Sequence, residues 1–168
     1  METLRLGIDV GGVIISRGHH ESRDTTFFTG NYLETPPVVG AFDAIRRLIE
    51  EKFGQDNVFL VSKAYPKTQR KTLEWFDAQG FYQKTGINPQ NVLFVLERAE
   101  KEAVCKKLGI DYFIDDRAEV LYHLSPTVPN LFLFAPGPIE LARLQSYGLK
   151  GKAKVVNNWQ EATKLLLT

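Results

Sequence analysis

Leu6-Gly7-Ile8-Asp9-Val10-Gly11-Gly12-Val13 decides how this chain is read. Residues 4–10 form a short apolar run closed by two glycines, the pattern of a strand buried on both faces. An aspartate at the end of such a run is either a turn residue before the glycines or a group kept there for chemistry.

Outward from this strand, apolar runs alternate with helical spacings. Residues 14–37 carry no clear period; from 16 on they are polar, contain Gly18, Gly30 and Pro36-Pro37, and read as a loop or flap. Over 38–53 the spacing predicts a helix with Val39, Phe42, Ile45, Leu48 and Ile49 along one stripe. Residues 58–61 read as a second strand. Residues 66–79 read as a helix, with Pro66 suited to its first turn and Gly80 to its end. A third strand is expected at 92–96, and a helix at 98–108 stopped by Gly109. A fourth strand at 112–114 runs straight into Asp115-Asp116. A short helix at 119–124, strands at 131–134 and 153–156, and a helix at 160–167 complete the chain. Such alternation implies an α/β fold, a Rossmann-like parallel sheet with helices on both faces. The 168 residues suit one domain over 1–168, with 14–37 as a flap and no room for a separate cap domain.

Composition narrows the function classes. Hydrophobic residues make up 43% and charged residues 24%, ordinary for a soluble globular protein. A net charge of +1 provides no broad field toward nucleic acid or an anionic membrane. Arg46-Arg47, the lysines within 67–71 and Lys106-Lys107 read as solvated helix faces. Cys105 is the single cysteine, so neither an internal disulfide nor a cysteine-based zinc site is expected; it reads as a small packed residue. No run approaches the ~20 apolar residues of a membrane span. The expected compartment is the cytoplasm.

Ligands of parallel sheets bind outside the carboxyl ends of the strands, where the polar residues of this chain fall in order. Asp9 ends the first strand, Ser62 the second, and Asp115-Asp116 the fourth, while Lys101 stands near a helix start. If they converge, the carboxylates repel one another, and a hard divalent cation with oxygen ligands is the usual remedy. A lysine offsets the charge of a phosphate, hydroxyl and backbone N–H groups hold its oxygens, and a carboxylate can attack phosphorus. The bland readings are that Asp115-Asp116 caps the following helix, Ser62 caps a turn, and Lys101 is solvated.

The order and context of these residues resemble the four motifs of the haloacid dehalogenase-like superfamily, over 4–124. The best matches are the strand ending in Asp9 and the Ile114-Asp115-Asp116-Arg117 segment; residues 108–117 also look similar to nucleotidase-like members. The resemblance implies a Mg²⁺-dependent phosphatase. Asp9 would be nucleophile and metal ligand, with Ser62 and Lys101 also catalytic. Asp115, Asp116 and the Gly11 carbonyl would be further metal ligands. Gly11, Gly12, Ser62 and Lys63 would lie against a phosphorylated substrate, small or macromolecular.

The chain departs from this pattern at Gly11, where these phosphatases carry a second aspartate that protonates the leaving oxygen. General acid–base help contributes roughly 10²–10⁴-fold, so weak turnover of alkyl phosphates is expected. Ways round it are an acyl or aryl phosphate with a good leaving group, substitution by His19, His20 or Asp24, or a protein that only binds a phosphorylated ligand as a regulatory module. The missing cap implies an open site, a macromolecular substrate or closure by another subunit in an oligomer. Two rivals fit less well. The first phosphate loop of sugar-kinase and actin-like proteins usually places Thr after its glycines, where Val13 stands here. A response-regulator receiver has its acidic pair on the first strand.

Overall fold

In the computed structural model, which describes residues 3–17 and 31–168, β1 (Leu6–Ile8), β2 (Val58–Lys63), β3 (Val92–Val95), β4 (Tyr112–Asp115), β5 (Asn130–Phe134) and β6 (Ala153–Val156) form one sheet. Its order is β3-β2-β1-β4-β5-β6, and every neighbouring pair is parallel. These are the strands expected from the apolar runs. The first is shorter, because beyond Asp9 the chain turns: Val13, Ile14 and Ile15 all donate their N–H groups back to the Val10 carbonyl.

Parallel neighbours require crossovers, and these cover both faces. On one face lie α1 (Ala41–Leu48), α2 (Pro66–Gln79), α3 (Phe81–Thr85) and α7 (Trp159–Leu166); on the other lie α4 (Glu100–Leu108), α5 (Ala118–Leu124) and α6 (Pro138–Ser146). The strands alternate between the two layers. Val58, Leu60, Ile114, Phe132 and Phe134 face the first, while Phe59, Val61, Phe113, Leu131 and Leu133 face the second. That two-sided burial is why the strands read as continuous apolar runs. Each fully buried aliphatic or aromatic side chain contributes about 1.5–3 kcal/mol.

The helix expected over 38–53 starts later, and Val39 is a correction to its stripe. Val39 is 91% exposed because it precedes Gly40, and α1 buries Ala41, Ala44, Ile45 and Leu48 instead. A π-wound turn, Ile49–Phe53, follows and brings Phe53 into the core. Two helices go beyond the sequence pattern, α3 and α6. In α6 only Leu144 is buried while Ile139 and Leu141 are exposed, so no apolar stripe announces it; its sequence marker is Pro138 in the first turn.

The chain reverses direction across the sheet between β1 and β4. Their following helices leave to opposite faces and open a crevice at the strand ends, where such folds place ligands. The turn after β1 is tied down from afar. Trp159, at the start of α7, donates its indole N–H to the Val13 carbonyl at 2.8 Å, and Val38 donates to the Ile14 carbonyl at 2.8 Å. Among the described residues, no helix is long and apolar enough to cross a membrane.

Candidate active site

Register brings the acidic residues together. Ile8 pairs with Ile114, so Asp9 and Asp115, each one residue further, meet at the mouth of the crevice, and the Asp9 N–H donates to the Ile114 carbonyl at 2.9 Å. One carboxylate oxygen from each of Asp9, Asp115 and Asp116 lies within 4.8 Å of the others.

Lys101 reaches this group from the first turn of α4, where the helix dipole disfavours a cation. Its Nζ donates to Asp9 Oδ1 at 3.0 Å and Asp115 Oδ2 at 2.9 Å. The side chain is 2% exposed, so Lys101 is not a solvated helix lysine. The acidic Glu100 and Glu102 beside it offset the dipole cost. Asp115 also accepts the N–H of Arg117, the residue before α5, at 3.0 Å, so it ties the turn into the helix rather than capping the helix itself. Glu140 takes the next amide, that of Ala118, at 3.0 Å.

The electrostatics follow from burial and neighbours. Burial pushes the Asp9 carboxyl up, but Lys101 and Arg17 together more than offset it and hold Asp9 below the usual carboxylate range. Burial, then the Asp9 charge, push Asp115 up to about 6 in spite of Lys101. Burial likewise raises Asp116 well above its ordinary value, against the pull of Arg17. Burial would lower Lys101, yet Asp115 and Asp9 raise it, so it stays charged. Cys105 behaves as a packed residue: it is fully buried, and burial pushes its thiol up to about 12.

Asp116 Oδ1 is buried without a hydrogen-bond partner among the described residues. An orphaned carboxylate oxygen beside two more carboxylates is a donor set that fits Mg²⁺, a hard cation that favours oxygen ligands.

The remaining candidates divide. Ser62 is buried at the end of β2, two residues beyond Leu60, which pairs with Ile8; it borders the crevice. Lys63 is half-buried, with its ammonium 4.2 Å from the centre of the Tyr65 ring, and it lines a neighbouring cleft with Glu97, Arg98, Ala99, Glu119 and His123. Gly12 has no spare amide, since its N–H donates to the Ile15 carbonyl at 2.9 Å. What it offers is a missing side chain: at φ +81°, a Cβ there would lie 2.2 Å from Asp116 Oδ2. His19, His20 and Asp24 lie outside the described residues.

Arg17 is the group that sequence reasoning missed. Its Nη1 is 3.4 Å from Asp116 Oδ2, and its charge acts on Asp9. No periodicity or motif marks it, since it sits in the polar stretch after the first strand.

No protein-family model and no curated protein matches the sequence. Solved structures do match in shape. One is the D,D-heptose 1,7-bisphosphate phosphatase of Burkholderia thailandensis, with TM-score 0.67 and 14% identity over 98% of this chain and 99% of that one. Another is a haloacid dehalogenase-like hydrolase of Burkholderia xenovorans LB400, with TM-score 0.63 and 10% identity over 98% of this chain and 97% of that one. The six-stranded parallel sheet whose order reverses between β1 and β4 aligns nearly end to end with these two structures, so the chain shares their Rossmann-like α/β fold.

Proposed function

We propose that the protein is a Mg²⁺-dependent phosphohydrolase in which Asp9 accepts the phosphoryl group as an aspartyl-phosphate. The observation that carries this reading is the state of Asp9. Its carboxylate is held ionised at the mouth of the crevice, with Oδ1 anchored by the buried Lys101. A nucleophile needs a free lone pair and a fixed direction of attack; Lys101 favours the deprotonated Asp9 and orients it, while neutralising part of the charge that accumulates around phosphorus. Asp9, Asp115, Asp116 and the Gly11 carbonyl would hold the metal, which when bound screens the carboxylates from phosphate and polarises the phosphoryl oxygens. Ser62, beside the crevice, would hold a phosphoryl oxygen, and the half-buried Lys63 would meet a more distant part of the substrate. With Gly11 in place of an acid, the expected activity is specialised toward good leaving groups.

The test is turnover of p-nitrophenyl phosphate with and without Mg²⁺, together with mass spectrometry of the quenched chain. We expect Mg²⁺-dependent release of p-nitrophenolate, a transient gain of one phosphoryl group on Asp9, and loss of both in Asp9→Asn. Turnover that survives Asp9→Asn would refute the nucleophile assignment. No turnover, with Mg²⁺-dependent binding of beryllium fluoride, would instead establish a phospho-ligand binding module.

A further inference from the structure

Gly11 and Gly12 leave a space, and Arg17 fills it. A Cβ on Gly11 would lie 2.9 Å from Arg17 Nη2 and 3.3 Å from Nε, and one on Gly12 would lie 3.2 Å from Nε. The arginine is placed by its backbone: the Ser16 N–H donates to the Pro36 carbonyl at 3.0 Å, and Ile15 bridges to Pro37. Its side chain is 33% exposed, whereas Lys101 is 2% exposed. Lys101 therefore neutralises the carboxylates from beneath, and among the described residues Arg17 is a more exposed cation whose charge acts on Asp9.

We propose that Arg17 receives the leaving oxygen in place of a proton donor, and that the site is matched to acyl phosphates. This rests on the phosphohydrolase reading and names its substrate class. A guanidinium does not release its proton near neutral pH, so it cannot protonate a departing alkoxide. It stabilises an oxygen that leaves as an anion, and its fork matches the two oxygens of a carboxylate. In the first step an Asp9 carboxylate oxygen bonds to phosphorus. The bond from phosphorus to the acyl oxygen breaks, and its electron pair leaves with the carboxylate without a proton. In the second step water attacks the phosphoryl group, the bond to Asp9 breaks, and the products are inorganic phosphate, the Asp9 carboxylate and a proton passed to solvent.

The experiment compares acetyl phosphate and glycerol 3-phosphate as donors to the full chain with Mg²⁺, in the parent protein, Arg17→Ala and Arg17→Lys. Folding of each variant is checked by its circular-dichroism melt. Acetyl phosphate is expected to exceed glycerol 3-phosphate in kcat/KM by roughly a thousandfold. Arg17→Ala should slow phosphorylation of Asp9 by acetyl phosphate about a hundredfold and slow hydrolysis of the phosphorylated chain less, since the carboxylate that departs in that step is Asp9, which Lys101 also holds. Inhibition by added acetate should vanish in Arg17→Ala, and Arg17→Lys should recover only part of the rate. The double variant Gly11→Asp/Arg17→Ala, with an acid restored and the space cleared, should gain turnover of glycerol 3-phosphate. Two results would each overturn the acyl phosphate assignment while leaving Asp9-dependent phosphatase chemistry standing. They are glycerol 3-phosphate turned over within tenfold of acetyl phosphate, and Asp9 phosphorylation unaffected by Arg17→Ala. Failure of every donor, p-nitrophenyl phosphate included, to phosphorylate Asp9 would overturn the phosphohydrolase reading and this inference with it.

Discussion

Lys101→Met keeps most of the stem and removes the charge beneath the carboxylates. Nζ stands 3.0 Å from Asp9 Oδ1 and 2.9 Å from Asp115 Oδ2. At an effective dielectric of about 20, each contact is worth roughly 5–6 kcal/mol of gross attraction, much of which only offsets the cost of burying three charged groups. Breaking a buried pair by removing one partner costs about 3–5 kcal/mol, a large share of the ~5–15 kcal/mol that holds a domain folded. The loss is electrostatic, so it depends on pH. In the parent chain Asp9 lies below the usual carboxylate range, so its stabilisation is present above the unfolded value and is lost as pH falls through the folded one. Without Lys101 the carboxyls move up, and ionising them costs stability as pH rises. The gap between parent and variant is therefore widest near pH 7.5 and narrows toward pH 4.5. The assay is urea unfolding followed by circular dichroism in EDTA at both pH values. A gap of equal size at the two would refute the charge argument and assign the cost to packing of the lysine stem near the Phe113 ring, whose centre lies 5.6 Å from Nζ.

Two further outcomes test the turn and the acidic cluster. Gly12→Ala should cost about 1–3 kcal/mol from its positive φ, with more from the contact with Asp116. Gly11→Ala meets only the flexible end of Arg17 and should cost under about 1 kcal/mol; equal urea midpoints for the two variants would contradict this. Asp115 titrates at about 6 when folded against a reference of 3.8, so the folded state holds more protons between these values. In EDTA, the stability of the parent relative to Asp115→Asn should therefore fall as pH rises from 4 to 6. A constant difference across that window would mean that burial does not set this group's titration.

The sequence by itself determined the sheet and the acidic part of the site. Residues 6–8 and 112–114 carry no charged side chain because both faces of their strands are covered, and an acid directly after such a run must stand at the carboxyl end of the sheet. Helix–strand alternation then implied parallel neighbours, and parallel register puts Asp9 and Asp115 side by side. The resemblance to the haloacid dehalogenase-like motifs rested on these same residues, and the sheet order and the shape of the two Burkholderia structures agree with it. Other features were decided only in three dimensions. Lys101 reads from sequence as a catalytic candidate or a solvated helix lysine, and its burial against two carboxylates is set only by the way α4 points its first turn. Gly11 reads as a missing acid until Arg17 is seen filling its space. That placement depends on the loop after β1 being tied to Pro36, Val38 and the distant Trp159. Local pattern reports which residues are buried and on what period. The meeting of the loop residue Arg17 with Asp116 is set by long-range contacts that leave no period in the chain.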